Sequence, residues 1–291
     1  MQGDGNGGLT MEPFVMSHTD KKLSLMRISG WPERFPQVKA GFSTRHGGVS
    51  HPPFHSLNCG LHVDDSAEDV ITNRELVADA VGIPMESWVY AEQVHGCDVQ
   101  WITQADRGKG IRSRESAIQA KDAFVTQRTN LCIGALFADC VPLYYYDPSQ
   151  EAIGLAHAGW KGTVQQIALV TVTKMQQFFG SKPHEIFAAI GPSIGICCFE
   201  VDEVVMNKVW ELFGREMTWD QDDEPLYRVK DNGKYMVNLQ EMNRQIMMKA
   251  GILPSHIEVS HLCTSCHSDL LFSHRKENGK TGRMVAWIGL T

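Results

Sequence analysis

Several things are missing from this 291-residue sequence. No apolar run approaches the roughly 20 residues that cross a bilayer as a helix. Positive charge is in deficit: 27 Lys and Arg stand against 34 Asp and Glu, for a net charge of −7. That excludes a general nucleic-acid binder, because phosphate contact needs a basic surface; a local basic pocket for one small anion remains compatible. The amino-terminal residues carry neither the basic nor the apolar region of an export signal, so the expected compartment is the cytoplasm. No Pro/Ser-rich linker divides the middle of the chain, no repeat of fixed period stands out, and no H-x-H pair occurs.

What is present describes a globular protein. Hydrophobic residues make up 43% and charged residues 21%, enough apolar material for a sizeable core. The polar, Gly-rich opening MQGDGNGGLTMEPF argues for a disordered extension over residues 1–23. Residues 24–291 are expected to form a single domain.

The local patterns alternate between strand and helix. DSAEDVITNRELVADAVGIP has Val70, Leu76, Val77 and Val81 at helical spacing, Asp64, Asp65 or Ser66 as caps, and Gly82 and Pro84 as a stop. The stretch from Ala123 to Trp160 is rich in β-branched and apolar residues, punctuated by turn signals at RTN and DPSQ, and predicts several adjacent strands. A helix is expected from Thr163 to the stop at Gly180, with others over Asp202–Phe213 and Leu239–Ala250. VKAGFS, WVYAEQVHG, EIFAAIG, IEVSHLCT and GRMVAWIGL read as further strands. This mixture predicts an α/β or α+β domain with a mixed sheet.

Eight cysteines in a chain with no export signal are expected to be buried thiols, ligands or nucleophiles rather than disulfides. Cys263-Thr-Ser-Cys266-His267 has the spacing of c-type haem attachment, a reading the lack of an export signal disfavours. Three other segments each end a strand in a metal-ligand residue: His95 in QVHG, Cys140 in ADCVP and His157 in AHAGW. Imidazole and thiolate suit zinc, and three protein ligands with a fourth position open is the catalytic pattern. Each residue also has a plainer reading, the histidines as hydrogen-bonded strand ends and Cys140 as a small buried hydrophobe. Cys140 has a second functional reading as a thiolate nucleophile activated by His95 or His157. STRHGGVS places Ser43, Thr44 and Arg45 before a Gly-Gly turn, and HAGWKGT places Lys161 before a helix; both are anion-binding patterns or simply tight turns. Adjacent Cys197 and Cys198 are expected to point one to a pocket and one inward. Arg275 reads as a solvated charge, whereas Arg283 reads as a group that reaches a substrate.

Taken together and in order, FSTRHGGVS, QVHG, ADCVPL, HAGWKGT, IGPSIGICCFEV and CTSCHSDLLFSHRKENGKTGRMVAWIGL resemble the YfiH-like or laccase-domain proteins, also called multicopper polyphenol oxidases. The likeness runs from about Lys39 to the end and is strongest to Bacillus-type members; Lys161 stands where many members have Arg. The resemblance implies a four-layer α/β/β/α sandwich with mixed β-sheets, an α+β fold. It places CTSCH in a carboxyl-terminal signature and not a haem site. It implies Zn2+ on His95, Cys140 and His157, and purine nucleosides with phosphate as substrates. The family activities are phosphorolysis of adenosine, inosine, guanosine and methylthioadenosine, and deamination of adenosine. Cu2+ is not favoured, since copper oxidase clusters draw on H-x-H pairs. The expected roles are Arg45 and Lys161 on phosphate, Ser43 and Asn58 on the nucleoside, and Asp139 or Glu92 moving protons. Two alternatives stand beside this: a cysteine hydrolase built on Cys140 and a histidine, and a binding protein whose closed zinc site is completed by Cys197 or Cys263.

Overall fold

The computed structural model describes residues 11–18, 23–215 and 224–291. In chain order the strands are β1 (Phe14–His18), β2 (Ser24–Ile28), β3 (Val38–Ser43), β4 (Trp88–Tyr90), β5 (Val99–Trp101), β6 (Ala123–Thr126), β7 (Leu131–Phe137), β8 (Val141–Asp147), β9 (Ala152–Ala158), β10 (Phe187–Ile190), β11 (Glu200–Val201), β12 (Tyr227–Val229), β13 (Tyr235–Val237), β14 (Ile257–Val259) and β15 (Met284–Leu290). The helices are α1 (Trp31–Arg34), α2 (Ala67–Val81), α3 (Trp160–Val164), α4 (Ile167–Phe179), α5 (Glu203–Phe213) and α6 (Leu239–Lys249).

Two six-stranded sheets form the centre, in the orders β1-β2-β3-β15-β7-β4 and β14-β10-β8-β9-β6-β5. Both are mixed. The first is antiparallel except where β4 runs parallel to β7. The second is antiparallel except at β10–β14 and β5–β6. A small antiparallel sheet, β11-β13-β12, lies apart.

The period of two along the central strands sorts their side chains into layers. On β15, Met284, Ala286, Ile288 and Leu290 face the second sheet, packing in one cluster with Tyr144, Tyr146, Ile153 and Leu155. Val285 and Trp287, on the opposite face, pack with Val77 and Ala78 of α2. On β8, Val141, Leu143 and Tyr145 turn the other way, onto Ile167, Val172 and Met175 of α4 and Met242 and Ile246 of α6. The order is therefore helix, sheet, sheet, helices: the expected four-layer sandwich. Strands covered on both faces read as near-continuous apolar runs, which is why the stretch from Ala123 to Trp160 has so little polar alternation.

The helix signals translate directly. Ser66 is the cap of α2, its hydroxyl accepting from the Asp69 N–H, and Gly82 closes the helix in the left-handed region at φ 69°. The helix expected from Thr163 to Gly180 is instead two helices, broken at Gln166, whose φ is 60°. The break lets α3 stay pinned by a hydrogen bond from Asn243 to the buried Thr163 hydroxyl, while α4 takes its own direction across the sheet.

The expectation of disorder over residues 1–23 needs correction where the chain is described. Phe14–His18 pairs antiparallel with Ser24–Ile28, and Phe14 is buried between the sheets; a polar, Gly-rich composition upstream gave no sign of this edge strand. The rest of that expectation, residues 1–10 and 19–22, lies outside the described residues. No described helix is long and apolar enough to cross a membrane.

Candidate active site

Two loops cross from one sheet to the other at the same end of the sandwich. Because β4 and β7 are parallel, their carboxyl ends emerge side by side. From β4 the chain passes through Gln93-Val94-His95-Gly96 to β5 of the second sheet, and from β7 it passes through Ala138-Asp139-Cys140 straight into β8. β9 returns antiparallel to β8, setting His157 opposite Pro142. Topology thus gathers three residues that sequence separates widely. Donor atoms of His95, Cys140 and His157 all lie within 4.8 Å of one another, and the two imidazoles meet edge to face with centroids 4.8 Å apart.

The cluster is tightly built. His95 and Asp139 hold positive φ of 60° and 86°, a region that costs a non-glycine residue energy and needs support from its surroundings. That support is visible. The Asp139 carbonyl accepts from Ile194 N at 2.9 Å, and its carboxylate accepts from the Thr264 hydroxyl and from Arg275 N, each at 2.6 Å. Gly159 follows β9 so closely that a Cβ there would stand 3.0 Å from both Cys140 Sγ and His95 Cδ2.

Asp122, immediately before β6, is the residue the sequence did not reveal. It is buried, and its carboxylate accepts from the N–H groups of Val94, His95 and Gly96 at 2.7 to 3.2 Å. Its Oδ1 also sits 2.8 Å from His157 Nδ1. One carboxylate therefore holds the loop that bears one imidazole and orients the ring of the other, leaving His157 Nε2 for Cys140 or a metal. A ligand histidine whose other nitrogen meets a carboxylate is a recurrent arrangement at zinc. No spacing marks Asp122; only the need of a buried imidazole for an acceptor could have prompted a search.

The electrostatics follow from this packing. Burial pushes the Cys140 thiol up, but the charge and hydrogen bonds of His157, with help from His95, outweigh it and bring the pKa down to about 6. Burial pushes His157 down, but Cys140 and Asp122 prevail and raise it to about 9. Burial likewise disfavours the Asp122 carboxylate, yet His157 and the loop N–H groups hold it below its ordinary range. A thiolate with two imidazoles is a donor set that would suit zinc, and the same three residues line a cavity.

That cavity has a volume of about 360 Å³, the size of a small-molecule site. It is lined by Arg74, Arg114, Arg275 and Arg283 against only Glu92 and Asp139 as carboxylates, a locally positive pocket in an acidic protein. Arg74 is consumed structurally, donating to the carbonyls of Cys59, Gly110 and Ile111. Arg283 is mostly buried, and burial depresses its pKa against the opposing pull of Cys140 and Asp139. Arg275, read from sequence as a solvated charge, is exposed and also lines the cavity, with its guanidinium over Phe199 at 5.3 Å and donating to the Glu200 carbonyl.

The four residues expected to bind substrate do not line it. Ser43 is fully buried, its hydroxyl accepting from Val285 N at 2.9 Å. Arg45 donates to the carbonyls of Ser268 and His55, pairs with Glu277 at 3.1 Å and stacks over Phe272. Asn58 ties a turn, accepting from Gly60 N and Arg283 N and donating to Asp65. Lys161 lies in a separate depression beside Lys208 and Glu211. Ser43, Arg45 and Asn58 shape the site from outside it: the turns around them need internal hydrogen bonds, and these polar side chains supply them. Nor do Cys197 and Cys263 complete the trio; they gather with Cys198 and Cys266 in a group of their own.

The family model described as multi-copper polyphenol oxidoreductase laccase matches residues 39–291. A Bacillus subtilis protein named purine nucleoside phosphorylase YlmD is 43% identical over 281 residues, covering 97% of this chain and 98% of that protein. The crystal structure of YlmD from Geobacillus stearothermophilus superposes with a TM-score of 0.87 at 40% identity, covering 96% of this chain and 99% of that one. A Bacillus licheniformis hypothetical protein YfiH gives a TM-score of 0.86 at 44% identity with the same coverage.

Proposed function

The chain belongs to the family of multi-copper polyphenol oxidoreductase laccases, and we propose that within it this protein is a zinc-dependent purine nucleoside phosphorylase. One observation carries the reading: the His95–Cys140–His157 cluster opens on an arginine-lined cavity of nucleoside size. The names of the relatives, among them YlmD, support it.

Phosphorolysis forms a bond between a phosphate oxygen and C1′ and breaks the bond to N9, the electron pair leaving with the purine. Bound zinc supplies Lewis-acid polarisation of a substrate oxygen. Arg283, assisted by Arg275, holds the phosphate through the forked donors that suit its oxygens. Phe199 and Leu136 give the purine apolar contact. Glu92 lines the cavity and is only 36% exposed at its side chain, with Arg114 at 3.7 Å; it is assigned the proton that the departing base takes up. Asp139 is reassigned from proton transfer to positioning, because both its oxygens already accept hydrogen bonds. The substrate range follows the family: adenosine, inosine, guanosine and methylthioadenosine. Deamination of adenosine belongs to the same reading: a water oxygen bonds to C6, the C6–N6 bond breaks, and Glu92 passes the water's proton to the departing ammonia.

A second reading has its own observation. Asp122, His157 and the low-pKa Cys140 are arranged as a carboxylate, base and thiol, the layout of a cysteine hydrolase. Chelation separates the two. Inosine turnover lost on zinc removal and restored by zinc supports the phosphorylase; turnover that survives chelation but not thiol alkylation supports the hydrolase. Polyphenol oxidation rests on the family description alone. Among the described residues, the groups that can hold a metal are this trio and a set of four cysteines, and together they supply two histidines.

A further inference from the structure

We propose that the chain holds a second zinc ion, in a closed site made by Cys197, Cys198, Cys263 and Cys266. The Sγ atoms of these four residues lie within 4.8 Å of one another, and Cys266 Sγ is 3.5 Å from both Cys197 Sγ and Cys198 Sγ. At a Zn–S distance of ~2.3 Å, a tetrahedron sets its sulfurs roughly 3.8 Å apart, within that range. A disulfide requires ~2.05 Å, and all four thiols are free.

The fold explains why the four meet. β10 and β14 are parallel neighbours, so the loops that leave their carboxyl ends run side by side. The first loop turns at Gly195, whose carbonyl accepts from both Cys198 N and Phe199 N. That tight turn presents both members of the adjacent pair to one point. The second turns at Cys263, whose carbonyl accepts from His267 N, and offers the C-x-x-C spacing common among zinc ligands. The loops are tied by hydrogen bonds from Ser193 N to the Leu262 carbonyl and from Thr264 N to the Ser193 carbonyl.

Details around the sulfurs suit thiolates. Gly195 N–H points at Cys263 Sγ at 3.2 Å, a backbone donor of the kind that stabilises metal-bound sulfur. A Cβ at Gly195 would stand 3.3 Å from Cys197 Sγ and 3.3 Å from Cys263 Cβ, so the absence of a side chain there keeps the centre compact. Four thiolates and no open position define a structural zinc site, unlike the open trio on the cavity.

The position gives the site a purpose. Ile194 and Phe199, which flank the first cysteine pair, both line the cavity. Thr264, next to Cys263, donates to the Asp139 carboxylate beside Cys140. Zinc here staples two loops that otherwise rely on a few hydrogen bonds, and so fixes the wall and the Asp139 turn of the active site. The proposal stands whether or not the phosphorylase reading does.

The test is metal content of the full chain, purified in reductant without chelator, as wild type, Cys266→Ser and Cys140→Ala. The expected zinc content is two equivalents for wild type and one for each variant. X-ray absorption on the zinc retained by Cys140→Ala is expected to show four sulfur ligands and no nitrogen, a readout that survives if Cys266→Ser fails to fold. A single zinc in wild type that Cys140→Ala removes overturns the proposal. So does a disulfide mapped among the four cysteines of the zinc-loaded protein, or a nitrogen ligand on the retained zinc.

Discussion

Asp122 Oδ1 lies 2.8 Å from His157 Nδ1, and the same carboxylate receives the N–H groups of Val94, His95 and Gly96. A single buried group thus sets both the ring of one imidazole and the loop of the other. Asp122→Asn replaces an all-acceptor group with one that presents an amide N–H₂ to donors. Zinc affinity at the trio is expected to fall about 10- to 100-fold, as for other outer partners of ligand histidines. Competition with a chromophoric chelator measures it. Leaving buried donors unpaired costs a further ~1–3 kcal/mol of stability, visible in denaturant unfolding.

Zinc binding should release protons in a predictable way. His157, raised to about 9, carries a proton at pH 7.5 that must leave before the ring can ligate; Cys140, lowered to about 6, is already a thiolate. About one proton per zinc is therefore expected at the trio at pH 7.5. Release should vanish as pH rises through 9 and grow as pH falls through 6, where the thiol begins to hold its own proton. Titration calorimetry of Cys266→Ser in buffers of different ionisation enthalpy reads the number directly.

Arg283 and Lys161 are expected to behave differently. Arg283→Gln removes a charge-assisted hydrogen bond worth ~1.5–3 kcal/mol, so kcat/KM for phosphate is expected to fall roughly 10- to 100-fold. Lys161→Ala, in its separate depression, is expected to change it less than about twofold, the small effect of a surface charge. Steady-state kinetics with phosphate as the varied substrate distinguishes them.

Gly159→Ala isolates geometry from chemistry. Gly159 has φ −70°, which alanine adopts freely, so the backbone is not strained. The added methyl, 3.0 Å from Cys140 Sγ and from His95 Cδ2, pushes two ligands apart by a few tenths of an ångström. Zinc affinity at the trio is expected to drop while the apo-protein's melting temperature stays within a few degrees. An unchanged affinity would mean that the ligands are looser than the packing implies.

These contrasts also mark what the sequence disclosed. The positions of Cys140 and His157 at strand ends were legible because each follows a strongly apolar run, and strand ends are where a sandwich exposes functional groups; the strand expected to carry His95 at its end stops instead at Tyr90, and His95 lies in the loop beyond it. Capping signals at Ser66 and Gly82 located a helix because they act over a single turn. The break at Gln166 was not legible, since Asn243, which pins α3, lies 80 residues from its partner Thr163. Ser43, Arg45 and Asn58 looked like ligands because turn-forming and anion-binding motifs share the same residue types. Only their partners, 242 residues away for Ser43 and 225 for Asn58, show which role each plays. Asp122 and the four-cysteine group stayed hidden for the same reason: their meaning lies in loops brought together by sheet order.

The most direct measurement is chromatographic assay of inosine with the zinc-quantified full chain, with and without phosphate, alongside Cys140→Ala. Hypoxanthine and ribose 1-phosphate formed only with phosphate, and lost in the variant together with one equivalent of zinc, is the expected result. Hypoxanthine formed equally without phosphate, or undiminished in Cys140→Ala, contradicts a phosphorylase centred on His95, Cys140 and His157.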